Sequence, residues 1–452
     1  MKSLEVLVTV LVDHLEWVGA FLFALVSMVS VSRRNQHHKV AKKILDKTIQ
    51  SQTNEPLTLH PEVDPGLCAG CGNCTRVCPE GDILKLINHQ AVLVSPTKCV
   101  GHGECEQACP TGAIKLVFGT KTRGMDIPRI TSDYETNVKG LYIVGELGGM
   151  GLIRNAVKQG AWAAKDALKK LTKSQADVDL AIIGAGPAGL AASLAAVAEK
   201  KSYVCLEQNS FGGTVYNFPR QKIVMTIPAV LPVIGAMKFP HNKVSKEELL
   251  TFWNDVRRRT GLRVQEGVKF ETVEKAGEVF KLKTNKGSLT ARKVILAMGV
   301  RGAPRRLGLK NEDLPKVTYN LIDPEQYIGK KVAVVGGGNA GVEAAQMLGN
   351  PKYRNQVILL VRGTTFDRCN DENKRIIEEM ESRREVKILY SSSVVEIGSD
   401  SLKIKQGEQT TSVPNDFLFI FAGAELPHKL LMGFGIQIEK KFGEALSKKA
   451  RT

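Results

Sequence analysis

Cysteine is the residue type in this chain whose spacing most clearly points to chemistry. Of the nine cysteines, seven fall within one short segment, at Cys68, Cys71, Cys74, Cys78, Cys99, Cys105 and Cys109. A secreted disulfide scaffold would be short and rich in cysteine throughout, whereas this chain has 452 residues and confines its Cys-x-x-Cys spacing to that segment. The pattern therefore indicates a metal centre and a reducing compartment.

The seven cysteines form two copies of one run. The first copy reads Cys-x2-Cys-x2-Cys-x3-Cys-Pro, and the second ends in Cys-x3-Cys-Pro. Over residues 61–118 the pattern resembles the two-cluster bacterial ferredoxin domain, in which the fourth cysteine of each run binds the cluster of the other run. This crossing assigns a first 4Fe-4S cluster to Cys68, Cys71, Cys74 and Cys109, and a second to Cys99, Cys105 and Cys78. A zinc ribbon is the alternative.

The second run departs from the pattern at His102, which stands where a cysteine is expected. A neutral imidazole can bind a cluster iron and raises its reduction potential relative to thiolate. Three arrangements stay open for the second cluster. It is a four-iron cluster with His102 as a ligand, which we favour slightly, a three-iron cluster, or a four-iron cluster with a ligand from outside the protein.

A glycine-rich turn follows a strand-like run and opens an alanine-rich helical run at Gly184, Gly186 and Gly189. In a dinucleotide-binding unit, the first two glycines let a pyrophosphate approach the helix N-terminus and the third lets helix and strand pack closely. Glu207 closes the next predicted strand, where an acceptor for a ribose hydroxyl belongs. These residues predict a first nucleotide site.

A second turn of the same kind contains Gly336, Gly338 and Gly341. Arg362 ends the following strand and Arg368 lies further on, and no acidic residue occupies the ribose position. A cation at this place favours the 2′-phosphate of NADP over NAD, which remains the alternative. Two units in one chain predict two nucleotides with a hydride passing between them.

Three stretches, VILAMGVRGAP, DFLFIFAGAELP and GLYIVGELGG, carry a family resemblance. The first two are similar to the two crossover strands of the thioredoxin-reductase-type flavoproteins, which residues 119–452 resemble. The third, with Gly145 and Glu146, is similar to the segment that contacts the flavin, where that family normally has Asp instead of Glu. VTYNLIDPEQYIGKKVAVVGGGNAG and TVYNFP are most similar to the bacillithiol-disulfide-reductase branch. The resemblance implies FAD in the first unit and NAD(P)H in the second.

The chain departs from this family in ways that bear on its chemistry. The flavin-contacting segment normally ends the chain but here precedes the first glycine turn, which predicts a circular permutation. Asn320 and Asp323 stand where thioredoxin reductases have their redox cysteines, and Ala188 replaces the cysteine of the branch that reduces small disulfides. Cys205 and Cys369 are isolated and are expected to be inert. The internal dithiol is therefore absent.

The N-terminal segment, residues 1–32, contains a long apolar run that is followed by basic residues at Arg33, Arg34, Lys39, Lys42 and Lys43. A membrane span needs about 20 mostly apolar residues. The segment predicts a single-pass helix in the cell membrane, with the redox domains in the cytoplasm. An amphipathic helix docked on the protein or lying on the membrane is the alternative.

The composition, with 63 Lys+Arg against 46 Asp+Glu and a net charge of +17, suits an anionic membrane or an acidic redox partner. Aromatic residues make up 6% of the chain, and it has no recognisable nucleic-acid-binding module, so we expect no nucleic-acid binding.

The predicted fold is α/β, with two Rossmann-like dinucleotide-binding domains, a small α+β ferredoxin domain and an N-terminal membrane helix. The predicted parts are a transmembrane helix (1–32), a basic linker (33–60), the ferredoxin domain (61–118), a permuted FAD-domain segment (119–174), the FAD domain (175–303), the NAD(P) domain (304–427) and a basic tail (428–452).

The sequence thus predicts a membrane-anchored iron–sulfur flavoprotein oxidoreductase. It would move electrons between NAD(P)H, FAD and two 4Fe-4S clusters and pass them to an electron-transfer protein, a quinone or another redox acceptor. The cofactors carry out the chemistry, so no side chain is predicted to be catalytic. A thiol–disulfide reductase and a non-catalytic, membrane-tethered redox sensor are the alternatives, and a homodimer is left open.

Overall fold

The computed structural model describes residues 2–50, 54–56, 59–225, 229–241, 244–300, 303–366, 369, 371–425 and 427–445. The chain divides into two compact units. The first unit consists of Met1–Asn54, Glu62–Pro96 and Glu104–Ile114. The second unit consists of Glu55–Pro61, Thr97–Gly103 and Lys115–Thr452.

Helices and strands are numbered in chain order. The helices are α1 Lys2–Gln50, α2 Asn73–Val77, α3 Glu104–Gln107, α4 Ile153–Lys169, α5 Pro187–Ala198, α6 Lys246–Thr260, α7 Asn339–Leu348, α8 Asp371–Ser382 and α9 His428–Gly433. The strands are β1 His60–Val63, β2 Leu84–Ile87, β3 Gln90–Leu93, β4 Ile114–Phe118, β5 Met125–Pro128, β6 Leu141–Ile143, β7 Val178–Ile183, β8 Tyr203–Glu207, β9 Ile223–Met225, β10 Val230–Leu231, β11 Gly235–Ala236, β12 Val244–Ser245, β13 Gln265–Glu266, β14 Phe270–Ala276, β15 Val279–Thr284, β16 Gly287–Leu296, β17 Ala303–Pro304, β18 Val317–Thr318, β19 Lys331–Val335, β20 Gln356–Leu360, β21 Val386–Leu389, β22 Ser392–Ile397, β23 Ser401–Gln406, β24 Gln409–Pro414, β25 Phe417–Ile420, β26 Ala424–Glu425, β27 Ile438–Lys441 and β28 Glu444–Ala445.

In the first unit, α1 continues as one helix to Gln50, so the stretch predicted as a linker is helical from residue 33 to residue 50. Ala41 and Thr48 are buried on one face of this part of the helix. The hydroxyl of Thr48 donates to the carbonyl oxygen of Val94 at 2.9 Å. This polar, basic segment forms a helix because one face, which includes Ala41 and Thr48, packs against the region of the β2–β3 hairpin.

The apolar stretch of α1 is exposed where the structure describes its side chains. Trp17, Phe21 and Phe23 are 76%, 68% and 77% exposed. Within the described residues, however, no helix combines the length and the apolar character that crossing a membrane requires. The transmembrane helix predicted over residues 1–32 is therefore not supported by the structure.

In the second unit, a seven-stranded sheet has the order β13-β8-β7-β16-β15-β14, and β6 pairs with the C-terminal end of β16. The strands β13, β8, β7, β16 and β6 run parallel, whereas β15 and β14 are antiparallel to their neighbours. Helices α4 and α5 pack so closely that a Cβ at Gly160 would lie 2.0 Å from the carbonyl oxygen of Ala188. The segment that contains β6 and α4 is therefore an integral part of this lobe.

A second sheet of the same unit has five parallel strands in the order β18-β25-β19-β20-β21. One apolar cluster joins β19 and β20 to α7 and α8, and a second joins the same strands to the antiparallel sheet β22-β23-β24. In both sheets a parallel strand leads into a glycine turn and a helix. The α/β dinucleotide-binding architecture predicted from the sequence is thus present twice.

The last described strands return to the segment between β4 and β6. β27 pairs with β5, with Ile438 opposite Pro128, and β28 pairs with β4, with Glu444 opposite Phe118. Residues from the two ends of the second unit therefore share two small antiparallel sheets.

Candidate dinucleotide and iron–sulfur sites

The first glycine turn has the geometry that a pyrophosphate requires. Gly184 has a φ of +102°, and a Cβ there would lie 2.5 Å from the carbonyl oxygen of Ala297. A Cβ at Gly189 would lie 1.8 Å from the carbonyl oxygen of Gly184. At Gly186, in contrast, a Cβ would meet no heavy atom within 4 Å. The turn therefore leaves an open cradle at the N-terminus of α5, which suits an anionic group.

Glu207 is held beside this turn at the end of β8. Its carboxylate is buried, with 5% of the residue exposed, and accepts hydrogen bonds from the N–H groups of Ala185 at 2.8 Å and Asn209 at 2.9 Å. These bonds fix the carboxylate where the adenosine ribose of a dinucleotide lies in such folds. The fit is good, and the assignment of the individual residues to FAD stays a prediction.

Gly145 and Glu146 follow β6 and lead towards α4. The N–H of Gly145 donates to the side-chain oxygen of buried Gln159 at 2.7 Å, which holds the turn against α4. Glu146 lines a cavity of about 570 Å³, called here the Glu146 cavity. Its lining is Pro56, Val100, Gly119, Arg123, Gly124, Met125, Asp126, Ile127, Pro128, Glu146, Leu147, Gly149, Gly151, Leu152, Val300, Pro427, His428 and Leu431.

The N-terminus of α4 opens at the Glu146 cavity. Leu152, which lines the cavity, is the N-cap residue of α4 and has a φ of +78°. Among the described residues, the side chain of this N-cap residue makes no capping hydrogen bond. The partial positive charge of a helix N-terminus stabilises nearby negative charge, and the carboxylates of Glu146 and Asp126 line the same cavity.

Residues 97–103, called here the Cys99 loop, carry two of the predicted ligands of the second cluster and belong to the second unit. Val100 of this loop lines the Glu146 cavity. The carbonyl oxygen of His102 lies 3.5 Å from a guanidinium nitrogen of Arg154, which is in the first turn of α4. This placement was not predicted, because the cysteine pattern assigns the whole loop to the ferredoxin domain over residues 61–118.

The predicted ligands of the first cluster lie together in the first unit. Cys74 is buried, and its pKa is raised by burial and by the negative charges that Cys68, Cys71 and Cys109 carry as thiolates. These electrostatic contacts require the four sulfur atoms to be near one another, as the crossing of the two runs predicts. The residues therefore fit a shared cluster.

The loop of the first cluster is closely fitted to the β2–β3 hairpin. The sulfur of Cys68 accepts a hydrogen bond from the N–H of Ala91 at 3.4 Å. Gly70 has a φ of +65°, and a Cβ there would lie 2.2 Å from the carbonyl oxygen of His89. Backbone N–H groups and small residues near the sulfurs are the surroundings that iron–sulfur clusters use.

Cys78, a predicted ligand of the second cluster, and Cys109, a predicted ligand of the first, have different surroundings. The pKa of Cys78 is raised by burial and by the carboxylates of Glu80 and Glu104. Burial also acts to raise the pKa of Cys109, but hydrogen bonds from the Thr111 hydroxyl and from nearby backbone N–H groups outweigh it and lower the pKa. Within the described residues, no three His, Cys, Asp or Glu side chains are arranged to hold a single metal ion. A four-iron cubane does not need three ligands around one ion, because each cysteine binds a different iron of the cluster.

The second glycine turn repeats the geometry of the first. Gly336 has a φ of +136°, and a Cβ there would lie 2.5 Å from the carbonyl oxygen of Phe421. A Cβ at Gly341 would lie 2.3 Å from the carbonyl oxygen of Gly336. Gly338 is the N-cap residue of α7. The turn fits a second pyrophosphate at the N-terminus of α7.

A cavity of about 560 Å³, called here the Arg362 cavity, lies at this turn. Its lining includes Arg362 as predicted, and also Arg305 and Arg306, which the sequence analysis missed although they follow a crossover strand in the run RGAPRR. Arg306 is paired with Asp313 at 2.5 Å. Among the described lining residues there is no Asp or Glu, a charge balance that suits a 2′-phosphate. Arg368 lies outside the described residues.

The positions where related enzymes have cysteines hold no thiol. Ala188 is buried beneath Gly160 of α4, and Asp323 caps the short helical turn that follows it by accepting from the N–H of Glu325 at 3.1 Å. Cys205 and Cys369, the cysteines outside residues 68–109, are 1% and 4% exposed. Their burial agrees with the expectation that they are inert.

Cys205 yields a direct test of that expectation. Burial raises the pKa of its thiol to about 12, so the reactive thiolate is scarce at all lower pH values. We expect no alkylation of Cys205 by iodoacetamide in the folded protein at roughly pH 8, and full alkylation after denaturation. Peptide mass spectrometry measures both. Labelling of Cys205 in the folded protein would contradict the inert assignment.

Comparison with known protein families defines the class. A model described as pyridine nucleotide-disulphide oxidoreductase matches residues 181–450, and a model described as 4Fe-4S dicluster domain matches residues 60–110. The first match covers more than half of the chain, which therefore belongs to the pyridine nucleotide-disulphide oxidoreductase family. The protein is an FAD-containing, NAD(P)H-dependent oxidoreductase with an iron–sulfur domain.

Relatives with two different named activities are among the proteins similar to this chain. The chain is similar to a ferredoxin–NADP reductase of Ignicoccus hospitalis, with 32% identity over 55% of this chain and 78% of the relative. It is also similar to the bacilliredoxin reductase Bdr of Bacillus subtilis, with 28% identity over 58% of this chain and 82% of the relative. Among solved structures, the bacillithiol disulfide reductase Bdr of Staphylococcus aureus has a TM-score of 0.53 at 22% identity and covers 58% of this chain and 81% of its own. The structural likeness shows the fold.

These comparisons confirm the predicted flavoprotein resemblance, the ferredoxin domain and the cofactor types. The segment with β6 and α4 precedes the matched residues 181–450, although it completes the same sheet. Circular permutation of the flavoprotein stays a prediction.

Proposed function

We propose that this protein moves electrons between NADPH, FAD and two 4Fe-4S clusters on one chain and passes them to a separate redox partner. The observation that carries the proposal is the placement of Val100, which adjoins the predicted cluster ligand Cys99 and lines the Glu146 cavity. A loop of the ferredoxin pattern thus shares a cavity with the segment that resembles a flavin contact.

The chain's own residues bind and orient the two nucleotides. Glycine turns at the N-termini of α5 and α7 receive the pyrophosphates, and the arginines of the Arg362 cavity receive the 2′-phosphate. FAD supplies the exchange between a two-electron donor and one-electron acceptors, which the clusters require. Because Asn320 and Asp323 stand where thioredoxin reductases have their redox cysteines, no dithiol at these positions carries electrons away from the Glu146 cavity.

The names of the relatives support a ferredoxin-linked reaction. Several relatives are ferredoxin–NADP reductases, and this chain carries its own ferredoxin-type domain. We propose that the fused domain takes the place of a separate ferredoxin. The bacilliredoxin reductase relative favours a thiol–disulfide activity as the second candidate, but the residues Ala188, Asn320 and Asp323 weigh against it.

An anaerobic titration with NADPH tests the proposal. The purified protein should contain FAD and about eight iron atoms if both clusters have four irons. NADPH should bleach the flavin, and electron paramagnetic resonance (EPR) should then show reduced clusters. A screen of ferredoxins, quinones and low-molecular-weight disulfides identifies the acceptor. Rapid disulfide reduction with clusters that stay oxidised would instead establish the second candidate.

We further propose that the protein associates with the cell membrane through α1, with its redox domains on the cytoplasmic side. The exposed apolar side chains between Trp17 and Val31 adjoin a basic stretch that begins at Arg33. Apolar residues that enter the acyl boundary and basic residues that meet anionic headgroups together produce surface attachment.

Vesicle flotation measures this attachment. The full chain should float with vesicles of anionic phospholipid, and Phe21→Ser with Phe23→Ser should lower the partition about tenfold or more because two large apolar side chains are lost. Val395→Ser, at a 40% exposed position of the second unit, is the control. Equal flotation of the double variant and the wild type would exclude α1 as the attachment.

The role of His102 is tested by two substitutions. If its imidazole binds iron, His102→Cys should keep a four-iron cluster whose potential falls by about 100 mV or more, because thiolate adds negative charge. Reduction of FAD by NADPH should stay unchanged. Redox titration followed by EPR measures both.

His102→Ala completes the test. Loss of an iron or a changed spectrum would agree with ligation, whereas unchanged iron content and potential would show that His102 is not a ligand. His37→Ala changes an exposed histidine of α1 in the first unit and serves as the control.

A further inference from the structure

We infer that Glu312 is a positioning residue for NADPH. It fixes residues 305–309 at the wall of the Arg362 cavity and so holds Arg305 where the 2′-phosphate binds. This inference rests on the proposed function, because it takes the Arg362 cavity as the NADPH site. It is carried by one buried carboxylate that accepts hydrogen bonds from three consecutive backbone N–H groups beside the cavity.

The carboxylate of Glu312 is surrounded by donors of the protein, and the residue is 3% exposed. One carboxylate oxygen accepts hydrogen bonds from the N–H of Leu307 and from the hydroxyl of Tyr319, both at 2.7 Å. The other oxygen accepts from the N–H groups of Gly308 at 2.8 Å and Leu309 at 3.1 Å. Leu307 itself lines the Arg362 cavity. Consecutive N–H groups that converge on one anion fix the course of the chain at the cavity wall.

Glu312 and Tyr319 have the protonation states that these hydrogen bonds need. Burial acts to raise the pKa of Glu312, but the hydrogen bonds from Tyr319 and from the three N–H groups outweigh it and lower the pKa. Burial and the hydrogen bond to Glu312 raise the pKa of Tyr319 to about 12. At neutral pH, Glu312 is therefore an anion and Tyr319 a neutral hydroxyl donor.

The same segment is also held at its start. β17 pairs with β26, and the N–H of Arg305 donates at 3.1 Å to the carbonyl oxygen of Gly423, which lines the same cavity. Arg306 is paired with Asp313, the residue that follows Glu312. In the part of the chain that the structure describes, Arg305 has no ion pair. Of the two guanidinium groups, that of Arg305 is therefore the one available to a phosphate.

Glu312→Gln removes the anchor while keeping the size of the side chain. An amide has one oxygen and one NH₂ group, so in either orientation the NH₂ group faces at least one backbone N–H that the carboxylate accepted. In the better orientation the Tyr319 hydroxyl turns to accept, and the N–H of Leu307 loses its acceptor. The cavity wall must then shift, and Arg305 shifts with it.

The sign of the effect distinguishes positioning from direct electrostatics. Removing a negative charge near a phosphate site reduces repulsion, so a purely electrostatic role of Glu312 predicts tighter binding of NADPH by Glu312→Gln. A positioning role predicts weaker binding, because the guanidinium of Arg305 loses the geometry for charge-assisted hydrogen bonds. NADH has no 2′-phosphate, and its binding should change little.

Isothermal titration calorimetry of the oxidised holoprotein, with 2′,5′-ADP and 5′-ADP as probes, measures this effect. Glu312→Gln should raise the Kd of 2′,5′-ADP about tenfold and that of 5′-ADP less than about twofold. In anaerobic stopped-flow absorbance, the NADPH concentration that gives half-maximal flavin reduction should rise to the same extent, and the rate at saturating NADPH should stay unchanged. Glu379→Gln, at an exposed glutamate of α8 in the same unit, is the control.

A double-mutant cycle shows whether Glu312 acts through Arg305. Once Arg305→Ala has removed the guanidinium, adding Glu312→Gln should raise the Kd of 2′,5′-ADP by less than about threefold. If Glu312→Gln does not yield folded holoprotein, Tyr319→Phe decides the question, because it removes one hydrogen bond and keeps the three from backbone N–H groups. A rise of about two- to fourfold in the Kd of 2′,5′-ADP would support the inference, and an unchanged Kd would overturn it.

Three results with Glu312→Gln would overturn the inference and leave the proposed function intact. They are an unchanged or lower Kd of 2′,5′-ADP, an equal rise for both probes, and a full tenfold rise in the Arg305→Ala background. If Arg362→Ala and Arg305→Ala also leave the Kd of 2′,5′-ADP unchanged, the Arg362 cavity is not the NADPH site, and that part of the proposed function itself fails.

Discussion

Gly189→Ala is expected to abolish FAD binding and to destabilise the second unit by about 3 kcal/mol or more. The new methyl carbon, attached directly to the backbone of α5, would lie 1.8 Å from the carbonyl oxygen of Gly184 in the turn that joins β7 to α5. Neither can rotate away as a side chain would, so helix and strand must separate. Thermal unfolding and FAD content of the purified protein measure the two effects.

Substitutions at two other glycines distinguish a loss of pyrophosphate binding from a loss of packing between β7 and α5. Gly186→Ala meets no protein atom within 4 Å and should fold normally but bind FAD weakly, because the methyl group enters the space left for the pyrophosphate. Gly433→Ala also meets no atom and lies outside the turn, so it should change neither property. Normal FAD binding by Gly189→Ala would show that this turn does not hold the flavin nucleotide.

Arg362→Ala should raise the KM for NADPH about 10–100-fold, because charge-assisted hydrogen bonds to the 2′-phosphate are lost. The KM for NADH, which has no 2′-phosphate, should change little. Adding Arg368→Ala should increase the discrimination if that residue also meets the 2′-phosphate. Arg305→Ala should behave like Arg362→Ala, whereas Arg306→Ala should have a smaller effect because Arg306 is already paired with Asp313. Steady-state kinetics with both nucleotides provide the comparison.

Arg259→Ala is the control, since Arg259 is an exposed arginine of α6 outside the Arg362 cavity. An equal loss for NADPH and NADH in Arg362→Ala would show that the residue does not read the 2′-phosphate. A wild-type preference for NADH would independently overturn the choice of nucleotide.

The sequence was sufficient to predict features that depend on local geometry. The close approaches at Gly184, Gly189, Gly336 and Gly341 follow from a turn that only glycine can form, and such a turn has a fixed spacing. The grouping of three thiols, Cys68, Cys71 and Cys109, near Cys74 follows from the two copies of one cysteine spacing.

Features that depend on packing between distant segments were not predictable in this way. The Cys99 loop has the composition of a ferredoxin loop, yet it belongs to the second unit. Residues 33–50 have the composition of a linker, yet Ala41 and Thr48 form a buried helical face. Arg305 and Arg306 line the Arg362 cavity because β17 pairs with β26, more than 100 residues later, which places Arg305 beside Gly423 of the same cavity. The local sequence pattern carries no information about which distant segments these residues contact.

The pairing of β27 with β5 and of β28 with β4 has a consequence for synthesis on the ribosome. Ile438 pairs with Pro128, and 438 − 128 gives a separation of 310 residues. At about 5–20 residues per second, the partner strand emerges about 15–60 s after β5. The cysteines at residues 68–109 are therefore synthesised well before the two small sheets of the second unit can be completed. We expect a nascent chain that stops before residue 438 to lack the strands that pair with β5 and β4 in the finished protein.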